Sequence, residues 1–299
     1  MTRILIGADV GGTKTAVAVG DGTTILAHVD GPGAAVRPGR SLVSAGIIAD
    51  VSRRALAAAG RLKADVMVVG AAGAGRQPEQ EELQHALRGE GVADRVVVTT
   101  DIEIALAGAF GAAAGIVISA GTGSVAVGRD AEGRPHRAGG YRWQMGDEGS
   151  GYAIGRAALG AVSRAIDGRS PETKLKARLL EATRSADFDA LVRWAATAGP
   201  AEVASLAPAT LEIAAGGDII AQGIADYAAR ELTQLAVHIL PRIGGDAPVP
   251  IALSGGLLAN EALRRAVVTR LRDESRLTVL EAPVDAVAGA LLLAAAAGG

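Results

Sequence analysis

The chain has 299 residues, enough for two domains, and 49% of them are hydrophobic although only 2% are aromatic. Its formal net charge of −2 provides no overall attraction to nucleic acid or to an anionic membrane. The absence of cysteine excludes disulfides, iron–sulfur clusters and thiolate zinc sites. The chain begins without a cleavable signal pattern, and its last apolar run is too short to span a bilayer. We therefore expect a cytoplasmic protein with no nucleic-acid or membrane partner.

The predicted elements alternate between strands and helices, which indicates the α/β class. The first part contains two strands and a third at 24–29, then helix 41–59, strand 65–70, helix 79–88, strand 95–100 and helix 101–112. The second part restarts at 116 with a strand, a turn and a strand, is helical over 150–240, and ends with a strand, a helix, a strand at 277–281 and helix 286–296. The predicted domains are 1–115 and 116–299, with a helical insertion at 150–240 and the option that helix 286–297 joins the first domain.

The first candidate site is a glycine-rich turn between two apolar strands, in ILIGADVGGTKTAVAVG. Glycines let backbone N–H groups approach an anion closely, and Thr13, Lys14 and Thr15 add hydroxyls and a positive charge. Asp9 ends the first strand, where it can reach a hydrated Mg²⁺, a cation that takes one or two carboxylates together with phosphates. This pattern favours the phosphate tail of a nucleotide. The alternative is an ordinary hairpin turn, since glycine and aspartate are also turn residues.

The same strand–turn–strand pattern occurs again in GIVISAGTGSVAVGRD (115–130). AVAVGD at 16–21 nearly repeats as SVAVGRD at 124–130, which indicates a duplicated domain. A third glycine pair stands in VPIALSGGLLANEALRR (249–265), where we expect a strand to run into Ser254, Gly255 and Gly256 and a helix to follow, whose N-terminus has unpaired N–H groups. The alternatives are a chance likeness of two turns and an ordinary strand-to-helix connection.

These motifs together resemble the actin-like superfamily that includes actin, Hsp70 and hexokinase. TTDIEIALAGAFG (99–111) and GGYRWQMGDEGSGYAIG (139–155) are similar to segments of the N-acetylglucosamine kinases and the BadF/BadG/BcrA/BcrD ATPases, and the resemblance covers nearly the whole chain. It implies two RNase H-like domains around a central nucleotide and sugar cleft, Mg²⁺ and ATP as co-substrate, and a homodimer. The residues that it implies for ATP binding are Gly11, Gly12, Thr13, Lys14, Thr15, Gly121, Thr122, Gly123, Ser124, Gly255 and Gly256.

The resemblance also implies which residues bind and activate the sugar. The family counterpart of Asp101 faces the sugar hydroxyl as a base, and since phosphoryl transfer depends mostly on positioning, its main task is to orient the attacking oxygen. The counterpart of Asp147 binds sugar hydroxyls, to which a carboxylate can offer two acceptors. The alternative for each aspartate is the N-cap of the helix that follows it. Tyr141 is expected to face the sugar ring, and Gly75 lies in the loop AAGAGR, which corresponds to another sugar loop of the family.

One segment departs from the family pattern and leaves the sugar open. Where related sequences carry an asparagine that touches the sugar, this chain has Ala34, Ala35 and Val36 in DGPGAAVRPG. One hypothesis is that a nearby arginine accepts an acidic sugar such as N-acetylmuramic acid, and solvent-facing arginines are the alternative. The three candidates are Arg37, Arg40 and Arg76.

The resemblance implies an ATP-dependent kinase that phosphorylates an amino sugar, foremost the 6-hydroxyl of N-acetylglucosamine, with glucosamine and N-acetylmuramic acid as further candidates. The alternative function is an ATPase or nucleotide-driven regulatory module without a sugar acceptor. The two functions differ in whether ATP turnover requires a sugar, which the sequence does not determine.

Overall fold

The computed structural model describes residues 3–245 and 247–297. The described chain divides into two compact units. The first unit contains the residues up to Ala113 together with those from Val284 onward, and the second runs from Ala114 to Pro283. The helix near the end of the chain belongs to the first unit by its contacts.

A five-stranded sheet of order β3-β2-β1-β4-β5 forms the frame of the first unit. The first three strands are antiparallel neighbours, whereas β4 and β5 run parallel to β1. The carboxyl ends of β1, β4 and β5 therefore lie at one edge of the sheet, which is where open α/β sheets bind ligands. The strands are β1 (Leu5–Val10), β2 (Lys14–Gly20), β3 (Ile25–Pro32), β4 (Ala64–Ala71) and β5 (Ala93–Thr99).

Helices cover both faces of this sheet. On one face α1 and α2 pack over a core that includes Ile6 and Val17, and on the other face the C-terminal helix contacts β1 and α3. The C-terminal helix can approach α3 closely because both helices carry glycine at the contact: a Cβ on Gly289 would lie 1.9 Å from the carbonyl oxygen of Ile104. The helices are α1 (Ser41–Ala58), α2 (Gln77–Gly89), α3 (Asp101–Phe110) and the C-terminal helix (Ala286–Ala297).

The second unit contains a second five-stranded sheet, of order β10-β9-β6-β7-β8. Its first three strands are again antiparallel neighbours, and β9 and β10 follow in parallel, so the topology of the first unit is repeated. The strands are β6 (Gly115–Ala120), β7 (Ser124–Arg129), β8 (Pro135–Gly139), β9 (Val249–Ser254) and β10 (Leu277–Val279). Strand β8 was not expected, because its sequence PHRAG is short, polar and largely solvent-facing.

The helices of the second unit form two cores. Helix α9 packs on the sheet, while α4, α5 and α8 surround a separate apolar cluster that includes Leu175 and Leu179. Within the described chain no single helix has the length and apolar content to cross a membrane; Pro200–Ala215 and Ile219–Ile243 reach both only as a pair, bent by 118°. The helices are α4 (Gly151–Ile166), α5 (Leu175–Thr183), α6 (Phe188–Thr197), α7 (Pro200–Ala204), α8 (Ala207–Ala215), α9 (Ile219–Ile243) and α10 (Glu261–Arg272).

The predicted α/β class is confirmed, and the repeated strand order explains the sequence repeat between the two glycine turns. A helix follows Ser254 and its two glycines, as the sequence predicts, but the α-helix does not begin at the glycines. A 3₁₀ turn (Gly256–Ala259) comes first, and α10 begins only at Glu261 with Asn260 as its N-cap. Gly255 and Gly256 therefore do not form the N-terminus of an α-helix.

Candidate functional site

The first turn, Gly11–Thr13, is held in place by the loop that follows β3. The carbonyl oxygen of Gly11 accepts hydrogen bonds from the N–H groups of Ala34 and Ala35, both at 3.1 Å. Gly33 lies so close that a Cβ there would be 2.2 Å from the carbonyl oxygen of Gly12. Within the described chain, the N–H groups of Gly12 and Thr13 donate to no other residue. The turn thus presents two backbone donors, as an anion site requires.

Two further residues, Lys14 and Thr15, were predicted to offer side-chain groups at the first turn. Lys14 forms a half-exposed ion pair with Asp30 on β3, at 2.9 Å between Nζ and Oδ2. Thr15 is fully buried, and its hydroxyl has no hydrogen-bond partner in the described structure. Because side chains alternate along β2, this one lies on the core side of the strand, and the role of the Thr15 hydroxyl at the turn stays a prediction.

Carboxylates gather at the edge where β1, β4 and β5 end. The pKa of Asp9 is raised from 3.8 to about 6, chiefly by burial and then by the nearby carboxylates of Asp101 and Asp285, while Lys14 opposes the shift. Asp101 comes from the connection after β5, and Asp285 lies just before the C-terminal helix. Asp9 and Asp101 are far apart in the sequence. They come together because the parallel strands β1 and β5 end at the same edge of the sheet.

Asp101 is the first residue of α3 and does not serve as its N-cap. That role belongs to Thr100, whose Oγ1 accepts from the N–H of Glu103 at 3.2 Å, while the Glu103 carboxylate accepts from the N–H of Thr100 at 3.4 Å. The helix is therefore capped by this reciprocal pair. The capping alternative for Asp101 is excluded, and its carboxylate stands in the field of Asp9 at the sheet edge.

The loop expected to contact the sugar packs against the segment that replaces the family asparagine. The N–H of Val36 donates to the carbonyl oxygen of Ala72 at 2.8 Å. Gly73, with φ of 88°, approaches so closely that a Cβ would lie 2.1 Å from the carbonyl oxygen of Val36. Gly75 is solvent-exposed in this loop, as the prediction for a substrate contact requires. Arg76 lies near Glu79, with 3.9 Å between Nη1 and Oε1.

A small polar cavity of about 160 Å³ adjoins the first turn. Gly12 and Gly33 line one side, and Arg37, Arg40 and Ser44 line another. Neither Arg37 nor Arg40 forms an ion pair with any residue that the structure describes. Helix α1 begins at this cavity with no acidic residue of its own in the first turn, but the Ser41 hydroxyl there donates to the Glu82 carboxylate of α2 at 3.1 Å. The positive charge of the cavity therefore comes from its two arginines.

In the second unit, the second turn (Gly121–Ser124) follows β6, and Gly255 follows the neighbouring parallel strand β9. The register Ser119 to Ser254 brings both glycine motifs to the same sheet edge. Gly255 has φ of 93°, and a Cβ on it would lie 2.3 Å from the carbonyl oxygen of Ala120. Gly256 is exposed and has open space around it. The structure thus joins two of the three predicted nucleotide motifs within one unit.

The second turn offers some of its predicted donors and uses others internally. Within the described residues, the N–H groups of Thr122 and Gly123 donate to no other residue. The Ser124 hydroxyl, however, donates to the carbonyl oxygen of Glu148 at 2.7 Å, and Ser124 is only 3% exposed. The Ser124 hydroxyl is therefore bound within the unit, and its contact with a phosphate stays a prediction.

Asp147 is nearly buried and its carboxylate faces the second turn. Its Oδ1 lies 3.4 Å from the N–H nitrogen of Ser124, and a Cβ on Gly123 would be 2.8 Å from its Oδ2. Burial raises the pKa of Asp147, the charge of Glu148 adds to this, and the hydrogen bond from Ser124 opposes it. Ser150 caps α4 by accepting from the N–H of Ala153 at 3.2 Å, so Asp147 is not the N-cap.

Aromatic side chains stand beside this aspartate on an exposed loop. Tyr141 is 59% exposed, and the guanidinium of Arg137 lies 6.0 Å from the centre of its ring. Trp143 packs against Tyr152, with 5.2 Å between the ring centroids. Tyr141 is thus open to a ligand, whereas one face of Trp143 is already covered.

The described residues contain no cluster of three or more histidines or acids arranged to hold a metal ion alone. Magnesium does not need one, since it retains waters and takes one or two carboxylates plus phosphate oxygens. The acids around Asp9 offer hard oxygen donors beside an anion-binding turn. This donor set fits a Mg²⁺ that arrives with a nucleotide.

Sequence reasoning missed three residues that shape these sites. Gly33 and Gly73 clamp the segment 33–36, and each lies in a glycine-rich stretch, so close backbone contact was the available signal. Asp285 lies far along the chain from Asp9, and no local pattern marks it.

Two sheets of one topology, each with a glycine turn after its first strand, define an actin-like ATPase fold of two RNase H-like domains. Solved structures show the same fold. A candidate N-acetylglucosamine kinase from Chromobacterium violaceum superposes with a TM-score of 0.83 and 29% identity, covering 97% of this chain and 98% of that chain. A ROK hexokinase from Thermus thermophilus gives a TM-score of 0.57 with 20% identity over 99% of this chain and 100% of that chain.

The chain belongs to the BadF/BadG/BcrA/BcrD ATPase family, whose model matches residues 6–294. It is 30% identical to an N-acetylmuramic acid/N-acetylglucosamine kinase from Clostridium acetobutylicum over 267 residues, 86% of each chain. It is also 31% identical to an N-acetyl-D-glucosamine kinase from Dictyostelium discoideum over 205 residues, 66% of this chain and 64% of that one. Both of these relatives are kinases of amino sugars by name.

Proposed function

We propose that this protein is an ATP-dependent kinase that phosphorylates an amino sugar. The enzyme class, an ATP-dependent sugar phosphotransferase, is that of its named relatives. The observation that carries the proposal is the pair of carboxylates, Asp9 and Asp101, beside a turn with two unused backbone donors. Transfer from ATP to an alcohol needs these parts: a site for the phosphate tail, oxygen donors for a cation, and a carboxylate that aims the acceptor.

Asp101 is proposed to orient the acceptor hydroxyl and to accept its proton as transfer proceeds. Its place at the first position of a capped helix limits its rotation, because the backbone around it is fixed by Thr100 and Glu103. Fixed placement matters more than basicity here, since the transferred phosphoryl group needs little help from a strong base. The family pattern assigns the 6-hydroxyl of the sugar as the acceptor.

Asp9 is proposed to hold Mg²⁺, through water, together with the phosphates of the nucleotide. The cation supplies charge neutralisation to the transferring phosphoryl group. Asp9 carries its raised pKa because its charge is poorly solvated and faces other acids, so a bound cation would favour its ionised form. Gly12 and Thr13 are proposed to donate their N–H groups to phosphate oxygens, as are Thr122 and Gly123 in the second unit.

The sugar is proposed to be N-acetylglucosamine or its carboxylated relative N-acetylmuramic acid, with the latter favoured by the electropositive cavity. Arg37 and Arg40 line that cavity beside the first turn, without ion-pair partners among the described residues. A guanidinium binds a carboxylate with paired hydrogen bonds. Arg76 does not line the cavity and lies near Glu79, so we no longer favour it as the carboxylate ligand.

The kinase proposal is tested by measuring ADP release and phosphosugar formation over a panel of N-acetylglucosamine, glucosamine and N-acetylmuramic acid. We expect ADP release that depends on an amino sugar, with one phosphosugar formed for each ADP. Sugar-independent hydrolysis without a phosphosugar would contradict the kinase and favour the nucleotide-driven module. The homodimer expected from the resemblance stays a prediction, as does the cytoplasmic location expected from the lack of a signal or membrane-spanning pattern.

The role of the arginine pair is tested by Arg37→Ala and Arg40→Ala on the same panel, with Arg88→Ala on the exposed end of α2 as the matched control. Loss of one charge-assisted contact should lower kcat/KM for N-acetylmuramic acid by about tenfold or more, while N-acetylglucosamine changes by less than about threefold. An equal loss on both sugars would reject a carboxylate-specific role.

A further inference from the structure

The second turn is backed by one continuous segment of the chain, Asp147–Tyr152, here called the acidic segment. Two hydrogen bonds join their backbones: the N–H of Gly151 donates to the carbonyl oxygen of Gly121 at 2.8 Å, and that of Tyr152 to Thr122 at 3.2 Å. The carbonyl groups of the turn are therefore held from behind. Its remaining N–H groups are left for a ligand.

Side chains add to this backing at the end of the turn. The Ser124 hydroxyl donates to the carbonyl oxygen of Glu148 at 2.7 Å, a short and strong geometry, while its N–H points at the Asp147 carboxylate from 3.4 Å, a weaker contact. Gly123 presses against that carboxylate, and no larger residue would fit without moving it. Both ends of the turn are thus fixed by the acidic segment.

The acidic segment itself is rigidly placed. Asp147 has φ of 62°, an uncommon conformation for a residue with a side chain, which surrounding contacts must maintain. Gly149, with φ of 76°, is packed so closely on α9 that a Cβ would lie 2.7 Å from the carbonyl oxygen of Ala228. The contacts therefore run from α9 through the acidic segment to the second turn.

We propose that the acidic segment fixes the shape of the nucleotide-binding second turn, with Ser124 and Asp147 as positioning residues for the nucleotide phosphates. This rests on the proposed function, since it takes the second turn as a phosphate site. It assigns Ser124 a role through Glu148 in place of direct phosphate contact. It also gives Asp147 an effect on ATP affinity, in addition to the sugar contact that the family pattern implies.

The first test perturbs the turn from a residue outside the predicted ligands. A Cβ on Gly151 would lie 2.9 Å from the carbonyl oxygen of Gly121, so Gly151→Ala pushes directly on the back of the turn. Gly160→Ala in the same helix is the matched control, because its Cβ would meet only the flexible end of Arg164 at 3.4 Å. Affinity for a non-hydrolysable Mg·ATP analogue is measured by calorimetry without sugar. We expect about tenfold weaker binding for Gly151→Ala and no change for Gly160→Ala.

The second test removes the side-chain contacts without adding bulk. Ser124→Ala should weaken analogue binding by about fivefold to tenfold and raise KM for ATP, with KM for the sugar unchanged. Asp147→Ala should weaken analogue binding to a similar degree, whereas Asp147→Asn, which keeps an acceptor for the Ser124 N–H, should stay within about threefold of wild type. Thermal unfolding of each variant identifies any general loss of folding, which would not separate the two KM values.

The outcomes separate this inference from the kinase proposal. If every variant binds the nucleotide analogue as wild type does, the positioning role is overturned, whatever the protein phosphorylates. An effect of Asp147→Ala on the KM for sugar alone would overturn the role of Asp147. A further outcome is that the wild type binds the analogue and the variants lose affinity for it as expected, while the wild type forms no phosphosugar. In that case the kinase proposal fails and the positioning role stands.

Discussion

The two glycine turns occupy the same place in the same topology, yet different chemistry supports them. In each unit the support comes from the segment that follows the third strand, β3 in one and β8 in the other. The first turn is held by backbone alone, through Ala34, Ala35 and the close approach of Gly33. The second is held by backbone and by the buried side chains of Ser124 and Asp147.

The two turns also differ in the acidic residues beside them. Acids at neighbouring strand ends, Asp9 and Asp101, face one another beside the first turn. Beside the second turn, Asp147 is nearly covered and pressed on the turn itself. The two copies therefore share the position of the glycine turn, while the clustered acids Asp9 and Asp101 lie in the first copy.

The largest effect on activity is expected at Asp101, the carboxylate of the first unit that is proposed to orient the acceptor hydroxyl. Asp101→Asn keeps the size of the side chain but removes its charge and basicity, so kcat should fall by about 10³-fold or more while ATP affinity stays within about threefold. Stopped assays for phosphosugar and calorimetry for ATP measure the two quantities. The control is Asp94→Asn, an exposed acid of the same unit paired with Lys63. If Asp101→Asn retained its turnover, the proposed role of Asp101 in phosphoryl transfer would be rejected.

A smaller loss is expected when the support of the first turn is displaced. A Cβ on Gly33 would clash with rigid backbone at 2.2 Å, so Gly33→Ala should weaken binding of the ATP analogue by about 10²-fold and lower the melting temperature. Gly46→Ala in α1, with open space around it, is the control. For comparison, Gly123→Ala adds a methyl group between the second turn and its support. This methyl group meets the Asp147 carboxylate, whose side chain can rotate, so binding of the ATP analogue should weaken by about tenfold or less. Equal losses would erase the contrast between backbone and side-chain support.

The smallest change is a gain in stability at the acids of the first unit. The native pKa of Asp9 lies near 6, above its ordinary 3.8, so the folded state holds an extra proton between these pH values and loses stability as pH rises through them. Asp9→Asn removes this penalty and should stabilise the metal-free protein by up to about 3 kcal/mol above pH 6, with no gain below about pH 4. Melting temperatures of both proteins in EDTA, recorded across pH, measure it. A pH-independent gain would assign the effect to packing.

The sequence predicts most of the fold because its strands and helices carry strong local patterns. The run ILIGAD, the alternation in TAVAVG and the helix at 41–59 are all found close to their predicted limits. Strand β8 was not predicted because PHRAG is short and has no apolar alternation, although it pairs with β7 across a connection of only a few residues. The helix after Ser254 was predicted but the 3₁₀ turn before it was not, since a 3₁₀ turn and an α-helix N-terminus share the same glycine-rich signal.

The site was predictable as a set of motifs but not as a set of orientations. The residues themselves indicated Asp9 and the glycine turns, and the family resemblance indicated Asp101. Burial of the Thr15 and Ser124 side chains depends on strand register and on a partner more than twenty positions away, respectively. The approach of Asp285 to Asp9 depends on the return of the chain to the first unit, which the sequence left open.

That return has a consequence for how the protein is made. The strands of the first unit leave the ribosome long before the C-terminal helix, Ala286–Ala297, is synthesised. This helix covers one face of β1 and packs so closely on Gly7 that a Cβ there would lie 2.7 Å from the backbone nitrogen of Leu291. Until it is synthesised, the apolar side chains that pack under this helix, including Leu5 of β1 and Ile104 of α3, lack its cover, although the whole second unit is already available to fold. The nascent chain must therefore carry an incomplete core through most of its translation, and this interval is the point at which a chaperone would be of most use.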